Sequence, residues 1–185
     1  MQFLEEHWLL YGQTGAGKTC YLKYRAVPEA LKVDPGDDRP RGVIIFDPFG
    51  DTWQGDKRYL FVTDNREKFY KKVWESTDKL VIFDEAGDEG RYDKDLETLA
   101  VKGRHNRHDV IFSAQRVQQL NTTVRGQCKK IICFHLTPRD SEFLAKEWGE
   151  ERLMTAQTLP PLHYIVADRW GKVTKSKIVF PQEKS

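Results

Sequence analysis

One octapeptide constrains this chain more than any other feature. Gly12-Gln13-Thr14-Gly15-Ala16-Gly17-Lys18-Thr19 fits the pattern G-x-x-x-x-G-K-[ST] in full. An apolar run, His7–Tyr11, precedes it, and a stretch with helical character follows to about Leu31. A strand that feeds a glycine-rich turn and then a helix points backbone N–H groups inward, which makes a cradle for phosphate. Gly12, Thr14, Gly15, Ala16, Gly17 and Cys20 are therefore nucleotide-binding candidates beside Lys18 and Thr19. The Lys18 ammonium brings a point charge to the β- and γ-phosphates, and the Thr19 hydroxyl is placed to ligate Mg²⁺. Cys20 stands where Thr or Ser is more usual.

The rest of the pattern extends this start into a sheet. Apolar runs at Val43–Phe46, Tyr59–Val62, Leu80–Phe83, Val110–Ser113 and Lys130–Phe134 alternate with amphipathic stretches, the signature of βαβ units and a largely parallel sheet flanked by helices. Asp64 and Glu67 have capping-box spacing for a helix that turns Phe69 and Val73 inward. Further helices are expected at Lys94–Lys102, Arg116–Gly126 and Pro138–Trp148, the last stopped by Gly149. Asp34–Arg41 reads as a loop, with Pro35-Gly36 ending the first helix. Near the end, His163–Ala167 and Val173–Val179 read as a β-hairpin. The 185 residues fit one domain, with a core over about 7–150 and the hairpin over about 160–180.

Composition excludes several classes. With 39% hydrophobic and 31% charged residues the chain is globular rather than disordered. It has no apolar run of membrane-spanning length, and it starts acidic where a signal peptide is basic. Three cysteines without Cys-x-x-Cys or Cys/His spacing argue against a disulfide framework or a structural zinc site and for a reducing compartment. The net charge of +2 hides an asymmetry: between residues 102 and 139, Lys102, Arg104, Arg107, Arg116, Arg125, Lys129, Lys130 and Arg139 face one acid, Asp109. Such a run is either a solvated surface or the footprint of an anionic partner such as nucleic acid.

Two more elements bear on the chemistry. Leu80–Phe83 runs into Asp84-Glu85, which sets two carboxylates at a strand end. Asp84 is the candidate to hold the metal, through water, and Glu85 the candidate to orient and polarise an attacking water. No Asn-Lys-x-Asp guanine reader is present, and simple kinases lack the acid pair, so hydrolysis of ATP is the expected reaction. The strand Val110–Ser113 leads to Gln115, whose uncharged amide can sense a γ-phosphate without fixing a proton.

At this point the chain resembles the FtsK–HerA superfamily of ring-forming, DNA-pumping P-loop ATPases. The resemblance rests on the glycine-rich loop, a second strand ending in Phe46-Asp47-Pro48, the acidic motif, Gly103-Arg104 eleven residues before Gln115, Ser113-Ala114-Gln115-Arg116, and the strand at Ile131–Phe134. It implies a RecA/ASCE-like P-loop NTPase fold, Gln115 as γ-phosphate sensor and Arg104 as an arginine finger that serves the neighbouring subunit's site. Arg107, Arg116 and Arg125 are the other arginines eligible for that role. In size the chain looks like the small genome-packaging ATPases of tailless, internal-membrane viruses such as the tectiviruses. The expected partners are then double-stranded DNA, further copies of the chain in a hexameric or pentameric ring, and capsid-vertex or membrane-associated packaging proteins. The expected place is the host cytoplasm or the packaging vertex. A host or plasmid DNA translocase or helicase, and an ATP-gated assembly or export switch, are the alternatives. For DNA contact, Trp53, Lys57 and Arg58 in one loop and Arg91 and Lys94 after the acidic motif are candidates, against a default of core or rim packing for the tryptophans.

Overall fold

The computed structural model describes residues 6–33, 37–85, 87 and 91–180. The Pro35-Gly36 stop and the Asp88–Gly90 part of the segment after the acidic motif lie outside the described residues. Eight strands form one sheet: β1 (His7–Tyr11), β2 (Val43–Phe46), β3 (Leu60–Thr63), β4 (Leu80–Phe83), β5 (Asp109–Ala114), β6 (Cys128–Cys133), β7 (His163–Asp168) and β8 (Val173–Lys177). Their order is β3-β2-β4-β5-β1-β6-β7-β8. The first six in that order are parallel, and β7 and β8 extend the sheet antiparallel. Strands β1, β2, β4 and β5 are buried along their whole length, as parallel strands covered on both faces must be.

Helices cover both faces. On one side α1 (Lys18–Tyr21) passes through a π-helical turn, Leu22–Ala26, into α2 (Val27–Ala30). Its apolar residues join Trp8, Leu10, Ile45, Ile82 and Ile132 in one core layer. On the other side α3 (Arg66–Trp74), α4 (Lys94–Lys102), α5 (Thr122–Gln127) and α6 (Pro138–Trp148) pack with Leu9, Phe46, Phe83 and Phe112 in a second. Because side chains alternate across a strand, neighbours such as Leu9 and Leu10 serve opposite layers.

Two local expectations need correction. Asn65, not Asp64, caps α3, its side chain accepting from Lys68 N at 2.9 Å. The helix starts at Arg66, so the capping position falls one residue later than the Asp64–Glu67 spacing implies. The expected helix over 116–126 is two elements, a 3₁₀ turn at Val117–Gln119 and then α5. Asn121 breaks the run because its side chain caps α5 through Val124 N at 2.9 Å. The three cysteines are free thiols.

His7 opens β1 in full burial, edge-on to Phe112 with ring centroids 6.0 Å apart. Burial, and after it the positive charge of Arg104, lowers its imidazole from 6.5 to about 3. Between those values the unfolded chain binds a proton that the folded chain refuses, so folding loses stability as pH falls through that window. A His7→Leu variant should show a shallower loss of urea midpoint between pH 6.5 and 4 than the parent chain. Equal slopes in parallel fluorescence melts would assign the acid sensitivity to another group.

Candidate nucleotide site

The glycine-rich loop leaves β1 at the centre of the sheet's C-terminal edge and is tied to both neighbouring strands. Gly12 N donates to Ala114 O at the end of β5 (3.4 Å), and Gln13 N donates to His135 O just past β6 (2.9 Å). The fit is close: a Cβ on Gly12 would lie 2.7 Å from Phe134 Cβ. Gly17 has φ +121°, a conformation that L side chains rarely adopt, and it opens α1 with Tyr21 N on its carbonyl at 2.9 Å.

Lys18 is buried, and its Nζ donates to Gly12 O at 2.7 Å while lying 3.7 Å from Glu85 Oε2. Burial lowers the pKa of its ammonium, and the charges of Glu85 and Asp84 oppose that shift. Thr19 Oγ1 donates to Asp84 Oδ2 at 3.5 Å, which joins the start of α1 to the end of β4. Burial pushes the Asp84 carboxyl up to about 6, the Glu85 and Asp47 carboxylates push the same way, and Ser113 and Lys18 offset part of it. Its Oδ1 is buried without a hydrogen-bond partner. A desolvated, under-bonded carboxylate beside a threonine hydroxyl fits a divalent cation, so Thr19 and Asp84 are the candidates to hold Mg²⁺. When bound there, the cation neutralises charge on phosphoryl oxygens.

Glu85 follows in the left-handed region, φ +58°, which costs a non-glycine residue about 1–3 kcal/mol. That twist turns its carboxylate toward Lys18 instead of continuing the strand's alternation. Gln115 emerges directly after β5 and is half-buried. Gln119 Oε1 accepts from both Gln115 N (3.0 Å) and Arg116 N (2.9 Å) and so holds that turn. The structure thus gathers Lys18, Thr19, Asp84, Glu85 and Gln115 around the loop's end of the sheet. Cys20 is half-buried in α1, packed against the neighbouring core layer.

The remaining expected residues separate. Arg104 lies exposed in the 3₁₀ turn Gly103–Asn106 before β5, with a 2.9 Å bond to Gln127. Six-residue β5 runs from that turn to Gln115, about 20 Å at the usual rise per residue, so Arg104 cannot serve the loop of its own chain. Arg125 is buried, held by Glu147 at 2.9 Å and by Leu120 O, and takes a structural place. Trp53 is half-buried, its Nε1 donating to Asp47 at 2.8 Å and Lys23 stacking on its ring, as the packing default for the tryptophans has it. Nor do the basic candidates form one surface. Arg58, paired with Asp56, and Lys57 precede β3 at the N-terminal edge of the sheet, whereas Arg91 and Lys94 lie on the crossover from the C-terminal end of β4.

Sequence reasoning missed three contributors. Asp47, at the end of β2, orders its loop by accepting from Phe49 N, Asp51 N and Trp53 Nε1, and the Phe46-Asp47-Pro48 motif marked the position without indicating this work. Gln119 was hidden inside an expected helix. Leu162 carried no signal. Its N donates to Ala16 O at 3.0 Å, its carbonyl accepts from Ile178 N at 2.9 Å, and its φ is +66°. The C-terminal strands therefore buttress the glycine-rich loop.

A mostly parallel sheet with this strand order, a glycine-rich loop after the central strand and two acids on a nearby strand end have the fold of a P-loop NTPase. A family model described as Poxvirus A32 protein matches residues 42–154, more than half of the chain, and the chain belongs to that family. The match takes in Asp84, Glu85, Arg104 and Gln115. Among solved structures, the DNA-packaging ATPase B204 of Sulfolobus turreted icosahedral virus is similar, with 21% identity over 97% of this chain and 100% of that one at a TM-score of 0.71. The genome-packaging NTPase B204 of Sulfolobus turreted icosahedral virus 2, in complex with ATP-gammaS, gives 21% identity over 95% and 98% at 0.70. The TcpA conjugation coupling protein of pCW3 gives 16% identity over 94% of this chain and 60% of that one at 0.64. No curated protein matches the chain.

Two substitutions divide binding from chemistry. Lys18→Ala should abolish measurable ATP affinity, because the loop loses its side-chain cation. Glu85→Gln keeps shape but removes the candidate base, so ATP should still bind while turnover falls by about 10²–10⁴. Undiminished hydrolysis by Glu85→Gln would show that a different group polarises the water.

Proposed function

We propose that this chain is the ATP-hydrolysing motor that drives double-stranded DNA into a viral capsid, working as a ring of identical subunits. The observation that carries the ring is Arg104. It is exposed at the opposite end of β5 from Gln115 and meets a γ-phosphate only across a subunit boundary. A head-to-tail ring supplies such a boundary at every site. Family membership and the likeness to proteins described as packaging ATPases support DNA as the substrate moved.

In this reading residues 1–185 act as one ATPase domain. The loop amides and Lys18 hold the phosphates, and Thr19 and Asp84 hold Mg²⁺. Glu85 takes the proton of the attacking water, Gln115 senses the γ-phosphate, and the Arg104 of a neighbouring copy neutralises the charge that builds on it. Arg91 and Lys94 are the DNA contacts retained, since they leave the same edge of the sheet as the site. Phosphate neutralisation without base readout is the expected mode. No helix among the described residues is long and apolar enough to cross a membrane. The motor is proposed to work in the host cytoplasm, at a packaging vertex.

Duplex DNA should raise the ATPase rate, and its affinity should fall steeply with salt and hardly vary with sequence. An ATPase indifferent to DNA would favour the nucleotide-gated switch. Arg104→Ala should bind ATP yet hydrolyse it about 10³–10⁵-fold more slowly. Mixed with inactive Lys18→Ala protein in verified mixed rings, it should regain turnover at interfaces that join an intact loop to an intact arginine. Absence of recovery at every ratio would end the trans assignment.

A further inference from the structure

The turn between β7 and β8 exposes a tryptophan and holds it firmly. Trp170 is 68% exposed, in the turn at residues 168–172. Asp168 Oδ1 accepts from Trp170 N at 2.9 Å and from Lys172 N at 3.0 Å, and Arg152 donates to Gly171 O at 2.9 Å. The Arg169 guanidinium lies 3.8 Å over the Trp148 ring and donates to Arg125 O at 3.2 Å and Glu147 O at 3.4 Å. A turn tied at each of these points presents its indole from a fixed backbone. A tryptophan on a preorganised support loses little further freedom on binding, and tryptophan is enriched among the residues that dominate interface energies.

The contacts around Trp170 indicate which interface it serves. The Lys129 ammonium lies 5.7 Å over its ring, Lys129 follows Gln127 by two residues, and Gln127 accepts from Arg104 at 2.9 Å. Trp170 and Arg104 thus share one continuous, basic surface at the N-terminal edge of the parallel strands. The site's edge is the counterpart. It exposes Asp51 and Asp64 past the ends of β2 and β3, and a bound nucleotide adds its phosphates there. It also has an exposed ring of its own, Phe49, 73% exposed in the loop that Asp47 orders. These edges stand at opposite ends of the strands, so they complement each other only head to tail, between copies. We propose that Trp170 anchors the contact between successive copies of this chain, packing against the edge of the next copy that bears Phe49. The inference rests on the ring reading and adds the apolar anchor that seats Arg104.

The test is sedimentation velocity of the full chain with ATP-gammaS and without DNA, over a range of concentrations. The parent should assemble beyond the monomer. Trp170→Ala should need about thirtyfold more protein to do so, the loss expected of an interface anchor, with its thermal midpoint and its calorimetric ATP affinity unchanged. Phe49→Ala should weaken assembly likewise, and it carries the test if Trp170→Ala fails to fold. An equimolar mixture of the two variants should stop at dimers, because a single intact contact joins the Trp170 of one to the Phe49 of the other. Assembly of Trp170→Ala at the parent's concentrations overturns the anchor and leaves the ring reading intact, as does a loss confined to duplex-DNA affinity, which gives the indole to DNA. Undiminished assembly by Phe49→Ala, or a mixture without dimers, overturns the head-to-tail pairing. A parent chain that is monomeric at every concentration overturns the anchor and the ring together.

Discussion

Two backbone hydrogen bonds hold the site open: Gly12 N to Ala114 O and Gln13 N to His135 O. They exist because β1 is flanked on both sides by parallel strands, so that the chain leaving it is gripped from left and right. Phe134 Cβ then leaves no room for a side chain at Gly12, and its ring closes the space beside Gly17. Order in the loop is therefore a property of the sheet's centre. The strands that carry the chemistry, β1, β4 and β5, are buried along their whole length.

The electrostatics follow from the same burial. A desolvated lysine and a desolvated aspartate are each costly alone, and here they share a small volume with Glu85. Glu85 adopts a left-handed backbone to face Lys18, and Asp47 spends its oxygens on its own loop rather than on a ligand. Charge at this edge is arranged to accept a partner that carries both phosphate and a cation. The opposite edge of the sheet collects basic side chains, Arg104, Arg107 and Lys129 among them.

The central strands were legible because a strand buried on both faces must be an unbroken apolar run, and Leu80–Phe83 or Val43–Phe46 has no other use in a chain of this kind. The phosphate loop and acid pair were legible because their chemistry demands particular residues at particular spacings. What failed was local competition among polar residues. Asp64 and Asn65 both cap helices well, and only packing of Phe69 and Val73 decides between them. Asn121 interrupts a stretch whose apolar spacing alone permits one helix. The polar loop around Trp53 gave no sign that Asp47 offers its indole a buried acceptor. Leu162 was invisible in principle, since a backbone bond to Ala16 leaves no mark on side-chain identity.

That last bond has a consequence for how the protein comes into being. Ala16 and Leu162 stand far apart in sequence, and Leu162 is itself tied to Ile178 in the stretch after β8. During synthesis from the N-terminus the glycine-rich loop emerges well before its flanking strand β6 and before the Leu162 brace. A half-made subunit thus carries the phosphate-binding sequence without a formed cradle. The order of synthesis thus places the brace after the loop it holds.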